Sequence, residues 1–169
     1  MRVALAIVVP LAAALLQGSV VPFTTVAGAR PNLVVLVAAS WAVVAGPRQA
    51  IWWAFIGGLA ADLLSGGPVG ALALASLLPI AAIGVSQSSR PRSIPTAVAS
   101  VGLASAFAGA LYAVILAVVG VQLPELPALL ASVVASAAYN AVLAIATYPL
   151  LRMLGRGGEK QASLSGQAW

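Results

Sequence analysis

The sequence predicts an all-α integral membrane protein, a bundle of six transmembrane helices, and three observations carry that prediction. Of the 169 residues, 62% are hydrophobic and 7% charged, whereas a soluble domain of this size has roughly a quarter of its residues charged. The eight Lys and Arg and the three Asp and Glu are clustered, leaving uncharged runs of the length that reads as membrane helix. The runs show no alternation of polar and apolar residues. Because only helices and closed barrels satisfy their backbone groups in lipid, and barrel strands alternate, helices are the remaining solution.

The first run covers residues 3–21, with Pro10 inside it and Gln17, Gly18 and Ser19 at its far end. Arg2 before an apolar stretch and Ala27-Gly28-Ala29 after it resemble a secretory signal and its cleavage site. The run is longer than the usual core of such a signal, which favours a spanning helix. The second run, 32–45, is entered through Arg30-Pro31 and closed by Gly46-Pro47-Arg48. It is short for a span, so it starts upstream, sits at a thinned edge or leans on its neighbours. The third run, 49–64, opens with Trp52 and Trp53 at interface depth. Ser65-Gly66-Gly67-Pro68 then forces a break, glycine accepting left-handed angles and proline suiting the first turn of the next helix.

The fourth run, 68–86, contains Pro79, a kink position. Residues 87–93 form the most hydrophilic internal loop. The fifth run covers 94–119, and 120–127, with Glu125, connects it to the sixth, 128–151. The transmembrane domain is thus 1–151, and the Gly/Ser/Gln-rich stretch 152–169 is expected to be a mobile tail. Positive charges favour the cytoplasmic side. With both termini cytoplasmic, Arg2, Arg48, Arg90, Arg92, Arg152, Arg156 and Lys160 all lie inside, and Arg30 alone lies outside with Asp62 and Glu125. The reverse orientation puts nearly every basic residue on the wrong face.

Composition excludes much chemistry. Without histidine there is no Ser–His dyad and no HExxH zinc site, and without cysteine no thiol nucleophile, disulfide or iron–sulfur centre. A single aspartate cannot form an aspartyl dyad or a multi-aspartate metal cradle. The expectation is a protein that is not an enzyme and holds no metal or cofactor. The basic residues sit singly or in pairs at segment ends, a pattern of topology signals rather than of nucleic-acid binding. In the tail, Arg152, Arg156 and Lys160 read as a topology anchor that could also touch anionic lipid.

Polar residues within the runs are few. Asp62 lies about one turn before the third helix ends, where the helix dipole disfavours a carboxylate. It calls for a partner, either Arg30 or the backbone donors of the glycine turn, unless it is solvated among the headgroups. Small residues thin several faces: Gly57, Gly58 and Ala61 on helix three, Gly66, Gly67, Pro68 and Gly70 in the following turn, and Gly102, Ser105, Ala106 and Gly109 on helix five. Ser132, Ser136, Asn140 and Ala144 share one face of helix six. An asparagine is costly against lipid, so this stripe is expected to point inward. Such faces serve either internal packing or the membrane helix of another protein, and spacing alone does not separate the two.

Gly57-Gly58-Leu59 followed by Asp62-Leu63-Leu64-Ser65-Gly66-Gly67-Pro68-Val69-Gly70 resembles the signature stretch of the bacterial rod shape-determining MreD family. Pro31-Asn32-Leu33 looks like that family's Pro-Asp-Leu, with asparagine in place of aspartate. The resemblance implies a bacterial plasma-membrane protein, a non-catalytic scaffold of the cell-elongation machinery. It would bind MreC and, through it, join the glycan polymerase RodA and penicillin-binding protein 2. It also implies a fold similar to the substrate-binding (S) components of energy-coupling-factor vitamin transporters. On this reading helix three and its turn position the MreC contact, and helices five and six supply small-residue faces. The alternative is such a vitamin-uptake component itself. It needs polar groups converging near the outer face, where the sequence offers Arg30, Asn32, Asp62 and Glu125.

Overall fold

The computed structural model describes residues 2–24, 30–86 and 93–165. Ala27-Gly28-Ala29 and most of the hydrophilic loop, with Arg90 and Arg92, lie outside the described residues. Among those described there are six helices and no strand: α1 Arg2–Ser19, α2 Leu33–Ala45, α3 Pro47–Ser65, α4 Ala71–Ser86, α5 Ile94–Val118 and α6 Leu126–Ser165. A single 3-10 turn, Val21–Phe23, follows α1. Two segments, Ile94–Val118 and Leu126–Gly155, are long and apolar enough to cross a membrane.

The shortest helix is the centre of the molecule. α2 packs against all five others, which surround it in the order α1, α3, α4, α5, α6, and α6 and α1 do not pack closely on each other. This explains its sequence, Leu-Val-Val-Leu-Val-Ala-Ala-Ser-Trp-Ala-Val-Val-Ala, which is apolar all the way round, the mark of a helix buried on every side. At about 1.5 Å per residue it is about 20 Å long, well short of a bilayer core. It leans on its neighbours, one of the options its length allowed.

The core is built largely from alanine around a few large side chains. One cluster gathers Leu36, Trp41, Trp53, Ile80, Val101, Ala144 and Leu151. A second, towards the start of α2, gathers Val34, Val35, Ala61, Leu72 and Ala108. Small residues bring the helices together. A Cβ on Gly58 would lie 2.6 Å from the Ala73 Cα, and one on Gly84 would run into the Pro47 backbone. Gly57 faces Val34 and Pro10, while Gly102 and Gly109 face Ala141 and Val133 on α6. Outward faces carry exposed apolar side chains, among them Leu15, Leu78, Leu103 and Leu130.

Four expectations are corrected. Trp53 is not an interface anchor: it is 2% exposed and stacks on Trp41 with ring centroids 4.5 Å apart. Trp52 is 60% exposed, since neighbours on a helix point in different directions and one of the two must turn outward. α3 begins at Pro47, two residues early, with proline at its first position. α4 begins at Ala71 rather than residue 68, because Gly66 and Gly70 hold φ of 69° and 91°, left-handed values that interrupt the helix. Pro68 therefore sits in the turn, its carbonyl accepting from Ala71 N–H at 3.2 Å. Finally, α6 continues past residue 151 through Ser165. Extending an existing helix costs far less than starting one, and no proline interrupts the stretch after Pro149.

Candidate functional site

Several buried polar side chains, Asp62, Ser105 and Asn140 among them, gather where α2 and α4 begin, at the same end of the bundle and bridged by the second core cluster. A helix start leaves four N–H groups without intrahelical partners. Both starts are buried in apolar surroundings, where an unpaired N–H is costly. The two are satisfied in different ways.

At α4 the solution is one carboxylate. Asp62, in the last turn of α3, is 1% exposed. Its Oδ2 accepts from Leu72 N–H at 3.0 Å and Ala73 N–H at 3.5 Å, and its Oδ1 lies 3.2 Å from the Leu72 nitrogen. Asp62 therefore caps the helix that follows the turn, and the positive end of α4 offsets the unfavourable end of α3. Of the two partners expected for it, Arg30 and the backbone donors of the glycine turn, the structure forms main-chain bonds just past that turn and not the pair with Arg30, which is exposed. Solvation among headgroups is likewise ruled out by its burial. The Ser65 hydroxyl donates to the Asp62 carbonyl at 3.1 Å and accepts weakly from Gly67 N–H at 3.4 Å, which folds the turn back on itself. Gly58 lies one turn earlier on α3, against Ala73.

At α2 the solution is three neutral amides. Asn32 is the N-cap, its Oδ1 accepting from Val35 N–H at 3.1 Å. Gln17 of α1 accepts from Val34 N–H at 3.1 Å. Asn140 of α6, fully buried, pairs with both main-chain groups of Asn32. Its Oδ1 accepts from Asn32 N–H and its Nδ2 donates to the Asn32 carbonyl, each at 3.1 Å. The same Nδ2 donates to Ser105 Oγ on α5 at 2.9 Å. One turn away, Ser136 donates to the Arg30 carbonyl at 2.7 Å. The segment Arg30-Pro31-Asn32 is thereby tied to α6 as a strand would be to its neighbour.

Ser136 and Asn140 point inward, whereas Ser132 is exposed and bonds only within its own helix, to the Leu129 carbonyl at 2.8 Å. Gly66, Gly67, Pro68 and Gly70 shape the turn between Asp62 and the N–H groups it caps. Gln17 and Gly84 were not singled out by the sequence. Gln17 reads as a run boundary, although its spacing from Pro10 and Ala14 places it on the buried face of α1. Gly84 is one glycine in an apolar run with nothing in sequence to pair it with Pro47. No group of acidic or histidine side chains that could hold a metal ion is present among the described residues.

A glycine-pinched helix pair, a capping aspartate before a Gly-Gly-Pro turn and an asparagine-opened short helix run through the chain as one assembly. A sequence model of the rod shape-determining protein MreD family matches residues 1–157. The chain belongs to that family. No curated protein and no solved structure matches it. Membership assigns the chain to the membrane-associated proteins of rod shape determination, a structural family rather than one of known enzymes.

Proposed function

We propose that the chain is a six-span scaffold of the bacterial cell-elongation complex, with both termini in the cytoplasm, that binds MreC and through it helps organise RodA and penicillin-binding protein 2. The observation that carries this reading is the match to the MreD family over residues 1–157. Two features support it. Exposed apolar side chains such as Val8, Trp52, Leu78, Leu103 and Val142 cover the outer helices, as lipid contact or a membrane partner requires. The buried polar side chains near the two helix starts are engaged in holding the fold, so the site is architectural.

That same engagement weighs against a vitamin-uptake component. Asp62, Asn32 and Asn140 are the polar groups best placed to hold a small ligand, and each already pairs with main chain. The small faces of α3 and α5 are likewise occupied by α4 and α6. The partner contact is therefore assigned to surface outside Gly58 and Gly109.

The test is purification of the tagged protein from native membranes in mild detergent. Recovery of MreC is the expected result, with the larger complex at lower yield. A preparation free of MreC but carrying a tightly held small molecule would reverse the ranking. A reporter fused after Trp169 tests the topology, which fails if the reporter proves extracytoplasmic.

A further inference from the structure

The helices end level on the inner side of the bundle and stepped on the outer side. At the inner side Gly84 of α4 meets Pro47 at the start of α3, and Gly155 of α6 meets Val44 near the end of α2. At the outer side the start of α2 is tied to Asn140, Arg30 just before it is tied to Ser136, and the turn before α4 lies near Tyr112 of α5. From those levels α5 runs on to Val118, and α6 begins at Leu126, about 15 Å beyond Ser136 along the helix. No residue from Val114 to Ser136 is buried, and Glu125 at the tip is the only charged one among them. The α5–α6 hairpin thus stands as an apolar wall above the ends of α2, α3 and α4, with Val118, Leu126, Leu130 and Val134 exposed along it.

The foot of that wall carries groups that hydrocarbon does not accept. Arg30 is exposed, and a charge at membrane depth is costly. Residues 66–70 are partly exposed, non-helical backbone, which has no place against lipid tails. A flat bilayer cannot meet both levels. With headgroups at the hairpin tip, Arg30 and the turn sink into hydrocarbon; with headgroups at the turn, the wall stands in water. The helix lengths carry the same conflict: α4, with 16 residues, is about 24 Å long and α5, with 25, about 37 Å, on either side of a bilayer core of about 30 Å. Membranes absorb such mismatch by thinning locally, at modest cost.

We propose that the protein thins the bilayer beside the hairpin: outer-leaflet phospholipid headgroups descend to Arg30 and the 66–70 turn, with a lipid phosphate on the Arg30 guanidinium, and return to full height around α5 and α6. Phospholipid supplies both the phosphate that the foot needs and the hydrocarbon that the wall needs. The proposal rests on the six-span reading above. The chain has no cysteine, so single spin labels can be placed in the protein reconstituted alone in dioleoyl phosphatidylcholine. Val69 in the turn and Leu130 on the hairpin are both exposed. They stand at the same level, since Gly67 lies near Tyr112, and Gly109, one turn inward on α5, meets Val133 on α6. The Val69 label is expected to read headgroup depth and the Leu130 label hydrocarbon. Arg30→Leu is expected to shift the Val69 label towards hydrocarbon, and Arg30→Lys to leave it in place. Equal depths at the two positions mean a flat bilayer and overturn the proposal, as does a Leu130 label that leaves water only when MreC is added, which makes the wall a protein contact. An unmoved Val69 label in Arg30→Leu overturns the phosphate site. A label at Leu78, exposed midway along α4, reads the spanning itself: if it is wet, the six-span reading falls and this inference with it.

Discussion

The starts of α2 and α4 face the same problem and solve it with opposite chemistry. Both are buried, and both must satisfy N–H groups that a helix cannot satisfy itself. At α4 the groups to be met are all donors, so a carboxylate, which only accepts, fits. At α2, Asn140 meets one donor and one acceptor of Asn32, together with Ser105, so it must accept and donate at once. An amide does both without a charge, with its acceptor and its two-hydrogen donor side by side. The α4 cap is also local, ten residues from its target, while Asn140 reaches across 108. The difference teaches that a buried polar residue is chosen by the sign of the main-chain groups opposite it.

The largest expected effect tests whether close packing underlies the α4 start. Gly58→Leu places a side chain where even a Cβ meets the Ala73 backbone at 2.6 Å, and Ala73 N–H is one of the groups that Asp62 caps. Separating α3 from α4 loses packing and cap together, about 3 kcal/mol or more. Little folded protein is expected on size exclusion in detergent. Gly67→Ala is the control: its φ is not positive and its nearest neighbours are 3.5 Å or more away, so it is expected to fold.

Next come the reciprocal exchanges, which could break the comparison outright. Asn140→Asp removes both Nδ2 bonds and sets a carboxylate against the Asn32 carbonyl in a buried site, costing about 3 kcal/mol. Asp62→Asn keeps an oxygen for Leu72 N–H and turns a donor towards the others, costing about 1 kcal/mol. Asp62→Ala falls between the two, at about 2 kcal/mol. Thermal unfolding of the purified proteins gives the order. Equal losses from the two exchanges would sink the claim that the opposing groups select the residue type.

Much of this architecture was legible in sequence, and the limits follow the same line between local and distant. Six apolar runs, the glycine turn and the inward face of Ser136 and Asn140 follow from spacing and cost. Asp62 stood out because a carboxylate at a helix C-terminus needs compensation. Its partner was narrowed to Arg30 or main-chain donors near the turn, and spacing could not choose between them, because the N–H groups it caps at Leu72 and Ala73 exist only once α4 has started. The role of Asn140 was hidden further, because its target is main chain, and main chain has no sequence signature. Gln17 and Gly84 were missed for the same reason: their meaning lies in Val34 and Pro47 on other helices. Trp53 was misread because interface and core both favour tryptophan, and adjacent Trp52 obscured which was which.

The smallest effect sharpens the comparison at its edge. Ser136 ties the Arg30 carbonyl to α6 through one bond of 2.7 Å, but Arg30 is exposed and Ser136 only half-buried. Water or a headgroup can take over an exposed carbonyl, so Ser136→Ala is expected to cost about 0.5 kcal/mol, the low end for a neutral hydrogen bond. Asn140→Ala, one turn deeper, leaves the Asn32 N–H and the Ser105 hydroxyl without their partner and is expected to cost several times more. The pair of variants measures how steeply burial rises between the two positions. Hydrogen exchange at Asn32 reads the same gradient: it is expected to accelerate strongly in Asn140→Ala and barely in Ser136→Ala. Similar acceleration in both would mean that the segment opens as one unit, held by the sum of its ties rather than by the buried asparagine.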